Sequence, residues 1–505
     1  MPVSDRDASP SAVSSGASTR SSERPEDPGD SPGGRGSPLP PLSPRLRSAL
    51  FWAAFGWIAG LARLQDNSFL THLRTGNRIL DHGIPRHDLY TYTVPDAPWI
   101  TQSWLVEVLY AALDRTTGPV GIQILHAATG AAIACLAFLL ADRVSGGART
   151  FPVVLPAVFA SSLFWVERPL HFGILAFLVL IWIVEVPESW PGRRPLVWVP
   201  VLMCLWINAH GTFALGFAYL GLHLAGRWLD GHAPWRGREA TLVRAAALGL
   251  VACLANPFGA ELVLFPADLL AKGDALEHVQ EWMSPDFRTQ AGMAFAVWIA
   301  VFAALAALAR ERPPRRDLLV GVAFLLLSLW ALRNIAIAPL VGLPIAVRLL
   351  PARRPGPAVR RHTRRNLAAV SAVLLLVPLL TRQTLARPPL DLSDYPVSAM
   401  RVVEREGLLG RRLFTHETWS AYVIHAYWPR QHVFVDDRFD MYPVPFTTDY
   451  MAIRDGDARW KRVFDRYRVE VVVWKTGTVL AEILARDPGW RPVHRDRQAT
   501  VLVRR

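Results

Sequence analysis

Residues 310–354 read RERPPRRDLLVGVAFLLLSLWALRNIAIAPLVGLPIAVRLLPARR. Two apolar runs, 317–332 and 335–350, are joined by the pair Arg333-Asn334, and both outer ends carry clusters of Arg. A soluble core helix does not need basic clusters on both flanks. A membrane hairpin does, because Lys and Arg in short loops hold those loops on the cytoplasmic side, against anionic lipid. The tight turn then lies on the opposite face.

The same grammar extends in both directions. Apolar runs lie at about 48–64, 119–141, 151–166, 169–186, 195–208, 212–227, 241–256, 291–309 and 366–381, giving eleven expected spans with the two above. Several fall short of the ~20 residues that cross ~30 Å of hydrocarbon, so their ends must extend into flanking residues or the bilayer must thin. Arg45 and Arg47 precede the first run. Arg143 and Arg149, then Arg193 and Arg194, then Arg227, Arg236 and Arg238 fall in alternate loops. Arg353, Arg354, Arg360, Arg361, Arg364 and Arg365 mark the last basic loop. With all of these inside, the N-terminus is cytoplasmic and the C-terminus extracytoplasmic. The chain is then expected to be a multi-pass membrane protein. The outer face receives a long loop at 65–118, tight turns near 167, 209 and 333, and a medium loop at 257–290.

Composition agrees. Of 505 residues 51% are hydrophobic and only 19% charged, with a mean hydropathy of +0.21. The net charge of +13 sits in the inner loops, which argues against nucleic acid as a partner. Cys135, Cys204 and Cys253 all lie inside apolar runs without metal-ligand spacing, and read as small core hydrophobes. Residues 1–46, rich in Ser, Pro, Gly, Asp and Arg, lack the apolar surface to offset ordering entropy and are expected to be a disordered cytoplasmic arm. The first run then reads as an uncleaved signal anchor. Residues 47–382 form the membrane domain. Residues 383–505 alternate helical pattern (396–409, 459–467) with β-branched runs (HVFVDDR, VEVVVWK, ATVLVRR), predicting a soluble extracytoplasmic α/β domain.

The long outer loop carries two amphipathic stretches, 69–82 and 104–113, both too short to span and suited to interfacial or re-entrant helices. Chemistry-bearing residues gather on this same face. Asp66 follows the first span, trailed by Asn67, His72, Arg74, Arg78 and Asp88. A carboxylate there serves as a base or a cation ligand, or merely ends the helix. Glu167-Arg168-Pro169-Leu170-His171 lies in a turn at membrane depth, where Arg168 either pairs with Glu167 or meets a phosphate. Asn208-Ala209-His210-Gly211, His278 with Glu281, and Arg333-Asn334 occupy the other outer turns. In the C-terminal domain VFVDDRFDMY reads as a strand ending in an acidic loop, with Asp436, Asp437, Arg438, Asp440 and Tyr442 as a ligand site or as ion pairs among themselves. One carboxylate among several cations at a membrane surface suits a phosphate-bearing lipid.

The motifs also resemble a family. DNSFLTHLRTGNRILDHGIPRHDLYTYT (66–93), PWITQSWLVEVLY (98–110), RPLHFG (168–173), LWINAHGTFALG (205–216), NPFG (256–259), EWMSPDF (281–287), RNIAIAPL (333–340) and WSAYVIHAYWPRQHVFVDDRFDMY (419–442) occur in order in a group of bacterial polytopic proteins. That group is similar to the GT-C superfamily of membrane glycosyltransferases. The resemblance implies a polyprenyl-phosphate-linked sugar as donor and a glycan, lipid or protein acceptor outside the cytoplasm. It also implies a catalytic carboxylate just after the first helix, the position of Asp66. Around it the substrate-binding set would be His72, Arg74, Asp88, Arg168, His171, Asn208, His210, Glu281 and Arg333. Residues 67–71 (NSFLT) depart from the more aromatic pattern of the superfamily. GT-C enzymes often show two nearby acidic residues in this region; here Asp88, 22 positions beyond Asp66, is the only candidate for the second among the matched motifs, and a divalent cation stays an open cofactor. A non-catalytic scaffold and a lipid or polysaccharide transporter are the rival readings. Apolar span interiors with hardly a charge disfavour transport.

Overall fold

In the computed structural model the described residues are 43–146, 150–273, 280–351 and 363–505. The expected arm at 1–46 therefore lies outside them except for its last four residues, as do Arg149, His278 and most of the last basic loop. The described residues are mainly helical, with one four-stranded sheet near the C-terminus.

The first helix, α1 (Pro44–Gly60), begins four residues earlier than the apolar run. Ser43 accepts a bond from Leu46 N, and Pro44 supplies the fixed φ of a first helical position. Arg45 and Arg47 therefore sit in its first turn rather than ahead of it. α2 (Phe69–His82) and α3 (Trp104–Thr117) build the long loop. α4 (Pro119–Val144) packs along α1 through bare backbone: a Cβ on Gly56 would stand 2.1 Å from Gly130 O. Small residues let helices approach this way where no water drives them together.

The bundle continues through α5 (Phe151–Ser162), α6 (Leu170–Glu185), α7 (Pro195–Ala209), α8 (Phe213–Leu229) and α9 (Gly237–Ala252). α10 (Ala260–Ala271) occupies part of the stretch expected to be loop, and buries Leu262 and Phe265 on one face. α11 (Gln290–Leu308), α12 (Arg315–Trp330), α13 (Ala338–Arg348) and α14 (Thr363–Leu385) follow. α4 and α11 alone, among the described residues, are both long and apolar enough to cross a membrane by length and composition. The others run 10–17 apolar residues or miss the length and composition test. Their outward faces nevertheless stay apolar: Leu308 is 80% exposed, Leu375 74% and Val251 64%. In water such surfaces are not left bare on this scale.

The C-terminal residues form α15 (Val397–Arg405), β1 (Leu413–Thr415), α16 (Glu417–Tyr427), α17 (Val444–Arg454), α18 (Trp460–Arg466), β2 (Val471–Lys475), α19 (Val479–Arg486), β3 (Trp490–Arg495) and β4 (Ala499–Arg504). The sheet order is β1-β2-β4-β3, with β1 parallel to β2 and the other pairs antiparallel. The expected strand at HVFVDDR does not form. Val433 makes single bridges to Thr91 and to Leu413, after which the Asp436 side chain accepts from Arg438 N and its own backbone N–H donates to Tyr442 Oη. Side-chain bonds of this kind compete with a ladder and turn the chain.

These residues share a core with the long loop. Leu64, Phe69, Leu70, Leu73, Tyr90 and Tyr110 pack in one cluster with Met400, Trp419, Val423 and Val501. Hydrogen bonds tie the same two parts together: Leu64 N donates to Pro389 O at 2.8 Å, Asp391 N to Leu64 O at 2.9 Å, and Arg438 Nη2 to buried Asp88 at 2.6 Å.

Candidate active site

A cavity of about 640 Å³ opens between the helix-connecting turns and the C-terminal residues. Its walls include Asn67, Ser68 and His72 from the long loop, Arg168 and Pro169 before α6, Leu170 at its start, His210 after α7, Glu281 and Met283, and Arg333. From the C-terminal part come His416 to Thr418, Asp437, Phe439, Arg454 and Lys475. Chain segments far apart in sequence thus deliver charged side chains to one space.

Arg168 organises it. Its Nε donates to both oxygens of Asp66 at 2.8 Å, its Nη1 pairs with Glu281, and its Nη2 donates to Asn67 Oδ1 at 3.0 Å. Of the two alternatives read from sequence, an ion pair with Glu167 does not form among the described residues. That carboxylate turns back and accepts Gln65 N and Asp66 N at 3.5 and 3.4 Å. Burial, with Asp66 nearby, pushes the Glu167 carboxyl up to about 7.

Asp66 also accepts Ser68 N at 3.0 Å and Ser68 Oγ at 2.6 Å. Burial alone would raise its carboxyl; the charge and hydrogen bonds of Arg168 and the bonds from Ser68 outweigh that and hold it below the ordinary value. The side chain is 8% exposed and is not part of the cavity wall. The Arg168 cation and the two donors of Ser68 stabilise its ionised form, which opposes its taking a further proton.

Arg333 is the opposite case. Its guanidinium lies 4.6 Å over the Trp282 ring, and among the described residues no carboxylate comes within ion-pair distance. Burial, and then the charge of Arg168, lower it to about 10. His210 is held neutral: burial, Arg333, His72 and Arg168 bring its ring down to about 3. Thr212 N donates to its Nδ1 at 3.2 Å, so the ring proton sits on Nε2 as a donor.

His72 bonds Glu107 at 2.7 Å. Burial would lower this ring, yet the bond and charge of Glu107 and the charges of Asp437 and Asp66 raise it. His72 and Asp437 also line a second cavity of about 140 Å³ next to the first, with Thr71, Trp99, Glu107 and Arg438 among its other walls.

The remaining sequence candidates serve the framework. Arg74 donates to Trp428 O at 2.6 Å and stacks on that ring. Asp88 accepts Thr91 N, Thr91 Oγ1, Tyr90 N and Arg438. His171 is buried with Nδ1 3.0 Å from that of His126. Asn208 bridges Trp104 Nε1, Cys204 O and Ala255 O. Arg438 and Tyr442 both donate to Asp436. Asp440 borders the small cavity, and its carbonyl accepts Lys272 Nζ. Glu107, Glu417 and Lys475 were not singled out from sequence. The signal for Glu107 was there: a carboxylate inside the apolar stretch WLVEVLY needs a buried partner. Among the described residues no group of three or more His, Cys, Asp or Glu side chains is disposed to hold a metal ion.

No family model matches the sequence, and no curated protein matches it. Solved structures do. The arabinofuranosyltransferase AftD from Mycobacteria aligns at a TM-score of 0.49 and 12% identity, over 92% of this chain and 40% of its own length. The oligosaccharyltransferase of Archaeoglobus fulgidus without ligand aligns at 0.48 and 10%, over 85% of this chain and 69% of its own. The same organism's AglB, in complex with an inhibitory peptide and a dolichol-phosphate, aligns at 0.49 and 11%, with the same coverages. The chain spans two fifths of the length of the mycobacterial protein.

Proposed function

We propose that the chain is a polytopic membrane glycosyltransferase. It takes a sugar from a polyprenyl-phosphate donor and passes it to an acceptor on the non-cytoplasmic face. With eleven spans, the N-terminus inside and residues from about 383 outside, as the charge bias suggests, the 640 Å³ cavity would lie on that face. The observation that carries the reading is Arg333: a half-buried guanidinium that lines an open cavity and pairs with no carboxylate among the described residues, with Arg168 and the His210 Nε2–H beside it. Such an arrangement is complementary to an anion. Phosphate released from an anomeric carbon carries its charge in the transition state, where preorganised donors act most strongly. The sequence motifs of the outer turns agree with this chemistry. Binding of undecaprenyl phosphate to the purified full chain tests it. Arg333→Gln should weaken binding by on the order of tenfold or more, the usual scale for losing a hydrogen bond to a charged group. If the wild-type chain does not bind undecaprenyl phosphate, the reading fails.

A further inference from the structure

Transfer to a hydroxyl needs a group that takes the hydroxyl proton, and Asp66 is held ionised by Arg168 and Ser68 behind the cavity wall. We infer that Asp437, on the loop between α16 and α17, is the general base of the proposed reaction, and that Asp66 is a positioning residue for Arg168.

Three observations converge on Asp437. It lines both the large cavity and the small one, so groups entering from either side meet at its carboxyl. It accepts one long hydrogen bond, from Asn67 Nδ2 at 3.3 Å. Among the described residues no cation pairs with it. Its neighbour Asp436 behaves differently: that carboxylate is closed off by Arg438 Nε at 3.0 Å and by Tyr442 Oη at 3.1 Å. Adjacent carboxyls in contrasting environments are the usual arrangement for separating a structural acid from a working one.

Electrostatics support the geometry. Burial and the charge of Asp436 raise the Asp437 carboxyl, His72 and Arg168 lower it, Asp66 raises it, and the balance lies at about 7. A base is most effective when its pKa is near the working pH. In the step, the acceptor oxygen bonds to the anomeric carbon while its proton passes to an Asp437 oxygen. The bond between that carbon and the phosphate oxygen breaks, and its electron pair leaves with the phosphate toward Arg168 and Arg333. Asn67 links the two halves, since it accepts from Arg168 and donates to Asp437.

The inference rests on the proposed glycosyl transfer, and one experiment separates the two. Full chain in native membranes, which supply acceptor, is given undecaprenyl-phosphate-linked hexoses and pentoses, and release of undecaprenyl phosphate is followed against pH. The wild-type rate should rise with pH and level off above about 7. Asp437→Asn should lower the rate by on the order of a hundredfold or more, the range for losing general-base catalysis, and its residual rate should lack that rise. Its binding of undecaprenyl phosphate should not weaken, because removing a carboxylate cannot disfavour an anion. Asp437→Glu should recover part of the rate. Asp66→Asn should weaken undecaprenyl phosphate binding and keep the pH-dependent limb. An Asp437→Asn rate within about threefold of wild type, or an unchanged limb in that variant, overturns the assignment. A wild-type chain that consumes no donor defeats glycosyl transfer itself, and this inference with it.

Discussion

At the scale of the residue, Asp66 and Asp437 show how neighbours decide what a carboxyl can do. Asp66 has one guanidinium nitrogen shared between its two oxygens and two bonds from Ser68; Asp437 has one amide. The consequence for stability has a definite sign. The Asp437 carboxyl rises from 3.8 to about 7 in the fold. A raised carboxyl contributes fully below the unfolded value, and that contribution is lost as pH climbs through about 7. Asp437→Asn removes the group that must ionise. The variant should therefore melt higher than wild type at pH 8, by on the order of 1 kcal/mol given access to solvent through the cavity. The difference should shrink between pH 7 and pH 4. Thermal unfolding of both proteins across that range measures it, and a variant less stable at pH 8 contradicts the shift. Greater stability with lost activity is the expected signature of a strained working group.

At the scale of the element, helical period made α2 legible, because Phe69, Leu73 and Leu80 fall on helix-like spacing in 69–82. Length and Arg flanks made most bundle helices legible to within a few residues. Local pattern could not show competition between side chain and ladder, which is why the strand expected at HVFVDDR is a bridged turn. Nor could it show which cation meets which carboxylate: Glu167 is adjacent to Arg168 in sequence, yet Asp66 and Glu281 hold it. Glycine contacts were equally hidden. A Cβ on Gly76 would lie 1.9 Å from Glu107 O, so the close approach of α2 to α3 depends on its absence. That approach places His72 against Glu107. Gly76→Ala must push α3 away, with a cost of about 1–3 kcal/mol for overpacking and a weakened His72–Glu107 bond. Gly221→Ala is the matched control on α8, where a Cβ meets nothing within 4 Å, and it should be neutral or mildly stabilising. Melting temperatures of the two variants decide the point; equal shifts would mean that the α2–α3 seam yields without cost.

At the scale of the whole molecule the charges divide into two poles. One holds the cavity of Arg168, His210, Arg333 and Asp437. The other gathers Arg143, Arg227, Arg238, Arg316 and Arg348 around Glu185 and Glu239 in a space of about 400 Å³. There Arg348 pairs with Asp317 and Glu185 at 2.8 Å, Arg227 with Glu239 at 2.7 Å, and Arg238 donates to Ile183 O at 2.6 Å. This arginine pole coincides with the loops that the charge bias assigns to the cytoplasm, and its guanidinia meet the negative ends of helices such as α6. Between the poles the outward surface is apolar. Sidedness is then a prediction about reagents that cannot cross a membrane. Single cysteines at Glu188 and Arg312, both exposed, belong to the inner pole. Cysteines at Arg288 and Ala458, also exposed, belong to the outer one. With Cys135, Cys204 and Cys253 replaced by Ser, a charged maleimide added to intact cells should label positions 288 and 458 and spare 188 and 312 until the membrane is permeabilised. Reversed labelling would invert the orientation. Labelling of 288 with protection of 458 would move the C-terminal residues off the outer face, and with them the carboxyl that the proposed reaction needs.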